Sequence, residues 1–376
     1  MEFIAFIQDL FSDYTSRTII LGTIVLGVVS GTLGTFAVLR KQSLLGDAIS
    51  HASLPGIAVV FLIIGFKDPL LFMLGAIGSG VIGTLWIRGI QQNTAIKSDT
   101  ALGIILTVFF GLGIVFLTYI QRLPNANQAG LDSYLFGQAA TLMMKDVVIM
   151  SVLGGISLLV VFVFWKEQKL LVFDTEYAQT LGFNTRFLDI LMTSLIVVAI
   201  VLGLQTVGVV LMSAMIIAPA AAARQWTNRL WVMIVLAAIF GALAGVIGTA
   251  ISTFYKNMAT GPVIVLAAVL LVALSFFFAP NRGLLFSYIN TLRSRKTIRM
   301  NKTLTLMYQI ARNHDNYQHP HSFRILNNFK GYHKSCIRQL SERGYIKIRP
   351  DRMWELTGKG YREARDLYAT EKEKES

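Results

Sequence analysis

An acidic residue and a histidine lie four positions apart in the apolar segment RKQSLLGDAISHASLPGIAVV, residues 40–60. Asp47 and His51 share one face if this segment is helical. A carboxylate oxygen and a neutral imidazole nitrogen are suitable ligands for Mn²⁺, Zn²⁺ or Fe²⁺, and the same pair can also carry a proton. The alternative is structural: the pair would join two packed helices.

The depth of this pair along the segment favours the functional interpretation. With a rise of 1.5 Å per residue, Asp47 lies roughly 10 Å and His51 roughly 15 Å beyond the basic boundary at Arg40 and Lys41. A charged group at such a depth in a membrane costs at least about 2.5–3.5 kcal/mol, so it indicates a function. Two ligands are too few for a metal ion. A two-fold dimer with this face on its axis would supply two aspartates and two histidines, so we expect the segment to line a dimer interface.

The elements that carry the pair are predicted to be membrane-spanning helices. The chain has 376 residues, of which 54% are hydrophobic and 15% charged, whereas a soluble domain has about 25% charged residues. This composition excludes a plain water-soluble enzyme, and the single cysteine, Cys336, excludes a disulfide scaffold. Segments long and apolar enough to span a bilayer lie at about 18–39, 43–66, 69–87, 100–121, 145–165, 187–204, 206–223, 230–253 and 261–280. We predict nine spans. Eight spans with one re-entrant segment is the alternative, because the seventh segment follows the sixth almost directly.

The basic residues of the short loops predict the orientation. They cluster after the odd-numbered spans, at Arg40, Lys41, Arg88, Lys97, Lys166, Lys169, Arg186, Arg224, Arg229 and Arg282. Because short cytoplasmic loops are rich in lysine and arginine, the N-terminus is expected outside and the C-terminal region in the cytoplasm.

The other unusual residues within the spans favour structural roles. Glycines such as Gly27 and Gly241 allow close helix packing. Asp189 begins the sixth span, where a helix N-terminus tolerates an acid. Gln205 is expected at an external helix end, and Gln138 lies in the polar stretch 123–144, which is too polar to span.

The loop between the fifth and sixth spans, KEQKLLVFDTEYAQTLGFNTRF, predicts a short helix. Asp174 or Thr175 can cap its start, and Gly182 can end it in the left-handed conformation. Leu181 and Phe183 are then expected to project from its end. Such a stiff helix would suit a partner that pushes on the bundle, and the alternative is an interfacial helix lying on lipid.

No phosphate-binding loop of the form G-x-x-x-x-G-K-[ST] occurs in the chain. The chain is therefore not expected to hydrolyse ATP by that route. We also find no nucleophile elbow and no H-E-x-x-H metalloprotease motif, so no enzymatic activity is predicted.

Three segments resemble the permease subunits of the ABC-3 family of bacterial manganese, zinc and iron ABC importers: LLGDAISHASLPGIAV, DTEYAQTLGFNT and TVGVVLMSAMIIAPAAAARQWTNRL. The resemblance covers about residues 15–285. It implies that Asp47 and His51 line the translocation path and coordinate the metal. It also implies that the loop with Glu176, Ala178, Leu181 and Gly182 is a coupling helix docked on a separate ATP-binding subunit. An extracytoplasmic metal-binding protein and a location in the bacterial cytoplasmic (inner) membrane follow from the same resemblance.

The last 90 residues or so differ in charge from the rest. Residues 1–290 hold 15 Lys/Arg and 12 Asp/Glu, whereas residues 291–376 hold 19 and 9. The predicted organisation is a permease domain at 1–288, a basic linker at 289–302 that attracts anionic membrane lipid, and a small cytoplasmic α+β domain at 303–376. In that domain, helices near 303–313, 321–329 and 332–343, two strands at YIKIR and MWELT, and a helix near 358–369 resemble a winged helix.

Three roles are open for this domain. It can dock on the ATP-binding subunit or a neighbouring protomer, which we favour; it can bind DNA; or it can sense metal through its histidines. The candidate residues for metal or DNA contact are His319, His321, Lys334 and Arg338. Membrane tethering argues against DNA, because the chromosome would have to reach the bilayer.

The whole sequence predicts an all-α polytopic membrane protein with a small winged-helix-like domain. Its expected function is that of the permease subunit of an ATP-driven importer of a divalent transition metal, with manganese favoured over zinc or iron. Transport by alternating access, no permanently bound cofactor and a homo- or heterodimeric permease complete the prediction. The alternatives are a membrane-anchored DNA-binding regulator and a secondary metal–proton transporter.

Overall fold

The structure is a computed structural model that describes residues 13–42, 44–123, 137, 139–255, 258–280, 282–312, 319–326, 329, 332, 334–351 and 353–375. It divides into two compact units, Met1–Gly283 and Leu284–Ser376. All the regular secondary structure described in the first unit is helical, and the second unit combines helices with a small sheet.

The first unit consists of twelve described α-helices. In chain order these are α1 (Tyr14–Leu39), α2 (Leu45–Ala52), α3 (Leu54–Ile64), α4 (Pro69–Asn93), α5 (Ser98–Gln121), α6 (Met144–Val163), α7 (Trp165–Phe173), α8 (Thr175–Thr180), α9 (Thr185–Leu204), α10 (Val209–Trp226), α11 (Leu230–Phe254) and α12 (Thr260–Phe278).

Nine membrane-spanning segments are found among the described residues, with α2 and α3 together forming the second. The seventh span, α10, is a continuous helix of 18 residues. It begins directly after Gly208, whose positive φ of 90° separates it from the sixth span. These observations support nine spans over eight and confirm the predicted fold class of a polytopic helical membrane protein.

The first span lies at the centre of the bundle, and 78% of the residues in its most apolar stretch are buried. It packs against α6, α10 and α11. At its crossing with α11, a Cβ atom on Gly27 would overlap the backbone of Gly241, and the reverse is also true. The glycines therefore allow contact between the two backbones, as the sequence predicted.

The second unit begins with α13 (Leu284–Ala311) and folds around a small antiparallel sheet. Its other elements are β1 (His321–Ser322), α14 (Phe323–Leu326), a 3₁₀ turn (Lys334–Cys336), α15 (Ile337–Glu342), β2 (Ile346–Ile348), β3 (Met353–Leu356) and α16 (Gly358–Glu375). The sheet order is β1-β3-β2, with His321 opposite Trp354 and Ile346 opposite Leu356. Its core contains the buried side chains of Met300, Leu304, Met307, Leu340, Trp354 and Leu356.

The segment predicted to be a basic linker, residues 289–302, is helical, because α13 runs without interruption from Leu284 to Ala311. This segment contains no proline or glycine, the residues that most disfavour a helix. The helix predicted near 321–329 begins instead with β1, because His321 and Ser322 pair with β3 more than thirty residues later. Such long-range pairing leaves little trace in a two-residue segment.

Candidate functional site

Asp47 and His51 lie on α2, one helical turn apart. The Nε2 atom of His51 is 3.5 Å from Oδ1 of Asp47. The His51 side chain is 13% exposed and that of Asp47 is 36% exposed. The two side chains therefore lie on one helix face, as their spacing predicted, and the separation of these two atoms is too long for a strong hydrogen bond.

The pair lies on a strip of the second span that the described residues cover only in part. Apart from Asp47 and His51, all the residues from Leu45 to Pro55 are buried. Helices α5, α9 and α10 pack against the other sides of α2. Leu44, three residues before Asp47, is also exposed and extends the same face. Asp47 is thus partly exposed on this face of the single chain, and His51 lies beside it with most of its side chain covered.

His51 is held from one side by an aromatic ring. Its ring lies edge-on against Phe110 of α5, with 4.6 Å between the centroids. Its Nδ1 atom is buried and has no hydrogen-bond partner among the described residues. A buried polar atom without a partner is costly, so a ligand or a neighbouring chain that supplied a partner would stabilise this side chain.

The helix break just beyond His51 is built from several polar contacts. Pro55 lacks an N–H group and cannot donate to the carbonyl of His51 four residues earlier. The hydroxyl of Ser79 on α4 donates to the carbonyl of Ala52 at 2.6 Å. Ser53 and Ser50 donate to carbonyls one turn earlier in α2, at 2.9 and 2.7 Å. The sequence gave no indication of the Ser79 contact.

One copy of the chain does not contain a complete metal site in its described part. No cluster of three or more His, Cys, Asp or Glu side chains is present there. Asp47 and His51 supply one oxygen-bearing and one nitrogen-bearing ligand. Further ligands for a metal on this face would have to come from another chain or from water.

Asp189 of α9 is the centre of an ion cluster that the sequence did not predict. Its carboxylate pairs with Arg40 at the end of α1 and with Arg88 of α4. All three side chains are at most one-quarter exposed. A helix terminus was the expected reason for an acid at this position, whereas the observed contacts tie three spans together.

A cavity of about 530 Å³ adjoins the Asp189 cluster. The basic residues that line it are Arg40, Lys41, Arg88 and Arg186, and Thr175 and Gln179 of α8 form part of its wall. The cavity therefore lies beside the predicted coupling helix and carries a positive charge.

The predicted coupling helix is present as α8. Asp174 caps it, because its carboxylate accepts a hydrogen bond of 2.9 Å from the N–H of Tyr177. Gly182, with a φ of +82°, follows its end in the left-handed conformation. Ala178 is fully buried. Glu176, Gly182 and the apolar side chains of Phe173, Tyr177, Leu181 and Phe183 are exposed.

The other polar residues named from the sequence have varied surroundings. Gln205 follows the end of α9 and lines a small cavity with Asp146. Asp146 is buried and accepts a hydrogen bond from the N–H of Met143 at the start of α6. The sequence gave no reason to select Asp146, and Gln138 lies outside the described residues.

The candidate residues of the second unit do not form a clear ligand site. His321 is buried, with its ring centroid 4.9 Å from that of Trp354, and the ring of His319 lies tilted against it with 5.3 Å between the centroids. Arg338 pairs with Glu342 at 2.8 Å on the same helix. The side chain of Lys334 lies outside the description, as do His314 and His333. The acidic partner of Arg338 reduces the charge it can offer to a phosphate.

Comparisons with known proteins agree on the first unit. The model of the ABC 3 transport family matches residues 12–279. The manganese transport system membrane protein MntC of Bacillus subtilis is 47% identical over 294 residues, covering 78% of this chain and 68% of that protein. The zinc transport system membrane protein TroC of Treponema pallidum is 47% identical over 280 residues, covering 74% and 94%. The solved structure of PsaBC from Streptococcus pneumoniae in complex with Fab is 36% identical, with a TM-score of 0.66, and covers 74% of this chain and 97% of that one.

Proposed function

Because the chain belongs to the ABC-3 transport family, we propose that it imports manganese through a site built from Asp47 and His51, with zinc and iron as alternative substrates. The chain is a membrane-spanning permease of a metal ABC importer and not an enzyme, since ATP is hydrolysed in a separate subunit. Family membership does not favour the alternative of a DNA-binding regulator. It also removes the need to explain the membrane helices by a secondary metal–proton transporter.

The observation that carries the proposal is the exposure pattern of α2. In the stretch from Leu45 to Pro55, which is otherwise buried, Asp47 and His51 remain partly exposed. Lipid is an unfavourable neighbour for these two side chains. An aqueous path between two permease copies satisfies both, because two copies bring two carboxylates and two imidazoles to one place. Two carboxylates offset the charge of a divalent ion, and this mixture of ligands suits Mn²⁺, Zn²⁺ and Fe²⁺.

Transport by alternating access completes the proposed mechanism. The ATP-binding subunit contacts the coupling helix through Glu176, Leu181, Gly182 and the residues around the buried Ala178. Its closure moves the permease halves and switches the metal site from one side of the membrane to the other. An extracytoplasmic binding protein delivers the metal, and the second permease copy is identical or closely related to the first.

The same proposal places the protein in the bacterial cytoplasmic membrane with its second unit in the cytoplasm. The short-loop basic residues support this orientation. The second unit retains the winged-helix-like order of helices followed by a hairpin and a helix. We assign it a docking role on the ATP-binding subunit or on the neighbouring permease, in preference to DNA.

Metal uptake in cells lacking this gene tests the site. Asp47→Asn and His51→Ala are expected to abolish uptake of radioactive manganese while the protein still accumulates in the membrane. Asp99→Asn, which removes an exposed carboxylate from the first turn of α5, is the matched control and is expected to transport normally. Competition with zinc and ferrous iron in the same cells identifies the preferred ion.

A binding measurement separates a metal site from a purely structural pair. Mn²⁺ stabilises a protein that binds it, so it raises the melting temperature of the purified wild-type complex. The two variants are expected to lose this metal-dependent increase while keeping the melting temperature of the metal-free protein. Normal uptake by either variant, or an unchanged response to Mn²⁺, contradicts the proposed site.

A further inference from the structure

The first half of α13 is uncovered by the described parts of the chain. Every residue from Leu284 to Arg299 is exposed, whereas Met300, Thr303, Leu304 and Met307 pack into the core of the second unit. A helical segment of this length that packs against none of the described residues needs another surface to stabilise it, because short isolated helices have little stability in water.

This segment has an apolar face. Leu285, Tyr288, Ile289 and Leu292 follow the i, i+3, i+4, i+7 spacing that places side chains on one side of a helix. They are 46%, 65%, 36% and 48% exposed. Ser287, Asn290 and Ser294 lie on the opposite side. A contiguous apolar patch of this kind marks an interaction surface.

The charges that follow the apolar face are all positive. Within α13 they are Arg293, Arg295, Lys296, Arg299 and Lys302, and the helix contains no aspartate or glutamate. Each basic residue near an anionic membrane surface contributes about 1 kcal/mol. A second copy of the same helix would instead bring like charges together, so charge complementarity favours an anionic surface over self-association.

The chain length before α13 keeps this segment close to the membrane. Only residues 279–283 separate Phe278, at the end of the ninth span, from Leu284. An extended chain of that length reaches at most about 20 Å. The first turns of α13 therefore begin within reach of the lipid headgroups on the side where the ninth span ends.

We propose that residues 284–302 form an interfacial helix that binds anionic phospholipid. The face made by Leu285, Tyr288, Ile289 and Leu292 enters the boundary between headgroups and acyl chains, and the basic residues contact the lipid phosphates. Apolar burial combined with attraction to anionic headgroups is the general basis of such binding. The inference is independent of the transported metal and of the Asp47/His51 site.

Depth-dependent fluorescence quenching tests the proposal on the full chain. A bimane probe is attached to Leu292→Cys or to Ser294→Cys, and each protein is placed in nanodiscs with brominated acyl chains. Cys336 is buried, and wild-type protein labelled in parallel corrects for it. In nanodiscs containing phosphatidylglycerol, the Leu292→Cys probe is expected to be quenched at least twofold more than the Ser294→Cys probe. In phosphatidylcholine alone this difference is expected to be much smaller.

Charge removal provides the matched comparison. The triple change Arg293→Gln, Arg295→Gln, Lys296→Gln is expected to abolish the extra quenching in anionic nanodiscs. Removing three exposed charges elsewhere in the second unit, by Arg324→Gln, Arg343→Gln and Lys347→Gln, is expected to leave it unchanged. Equal quenching at both probe positions overturns the proposal. The proposal is also overturned if the quencher does not reach the Leu292→Cys probe and if unlabelled Leu292→Cys copies form a disulfide with each other. That result would identify a second chain as the partner.

Discussion

The hydroxyl of Ser79 donates a hydrogen bond of 2.6 Å to the main-chain carbonyl of Ala52, the residue next to His51. This contact fastens α4 to the end of the helix that carries both candidate ligands. Directly beyond this point α4 also approaches α3 closely, since a Cβ on Gly56 of α3 would overlap the backbone of Gly75. The position of His51 therefore depends on α4 as well as on its own helix.

Replacing Ser79 with alanine is expected to weaken the contact between α4 and the end of α2 without unfolding the protein. The change leaves the buried carbonyl of Ala52 without this donor, so the free energy of unfolding should fall by about 0.5–1.5 kcal/mol. Metal uptake should fall as well, because the ligands are less well positioned. Ser151→Ala is the control, since the hydroxyl of Ser151 bonds only within its own helix, to the carbonyl of Val147. Equal uptake by both variants would show that the Ser79 contact does not affect the site.

The region around Asp47 shows how far sequence reasoning reaches. The shared face of Asp47 and His51 follows from their spacing, and the break near Pro55 follows from the chemistry of proline. The partner of the Ala52 carbonyl does not, because Ser79 is 27 residues away and reaches it only through the packing of α4. The sequence therefore predicts interactions within one helix, but it does not predict which side chains of different spans contact each other.

Asp189 makes the same point with charges. An acid in the first turns of a span is explained locally by the helix N-terminus. The structure adds two arginines from other spans, Arg40 and Arg88. Both were identified only as loop charges that set the orientation, because the sequence does not reveal which span ends lie side by side.

Asp189→Asn is expected to destabilise the bundle where α1, α4 and α9 meet. Arg40 and Arg88, which are largely buried, then lose their carboxylate partner. The loss should lower the free energy of unfolding by about 1–3 kcal/mol at such a partly buried site. Thermal unfolding of the purified permease complex in detergent measures the change. Asp99→Asn removes an equal charge from an exposed position and is expected to leave the melting temperature unaltered. A similar melting temperature for the two variants would argue against a structural role for the cluster.

The contact between α1 and α11 can be tested with two glycines of the same bundle. Valine at Gly241 would overlap the backbone of Gly27, whereas no atom lies within 4 Å of a Cβ placed on Gly78. Overpacking costs about 1–3 kcal/mol, so Gly241→Val is expected to lower the melting temperature and the yield of folded protein. Gly78→Val should lower neither. Normal folding of Gly241→Val would mean that the two spans separate more readily than their packing indicates.

The exposed end of the coupling helix gives a test that separates docking from folding. The side chain of Leu181 is 54% exposed, so Leu181→Ser should cost little stability. If this side chain contacts the ATP-binding subunit, the variant should lose several-fold in affinity for that subunit and in metal uptake, because a buried apolar contact contributes roughly 1–3 kcal/mol. Phe66→Ser serves as the comparison, because Phe66 is 50% exposed and lies in the loop between the second and third spans, on the side of the membrane opposite α8 in the proposed orientation. Copurification of the ATP-binding subunit with each variant measures the effect. If Leu181→Ser copurifies that subunit as well as Phe66→Ser does, the docking surface lies elsewhere on the loop, with Tyr177 and Phe183 the next exposed side chains to examine.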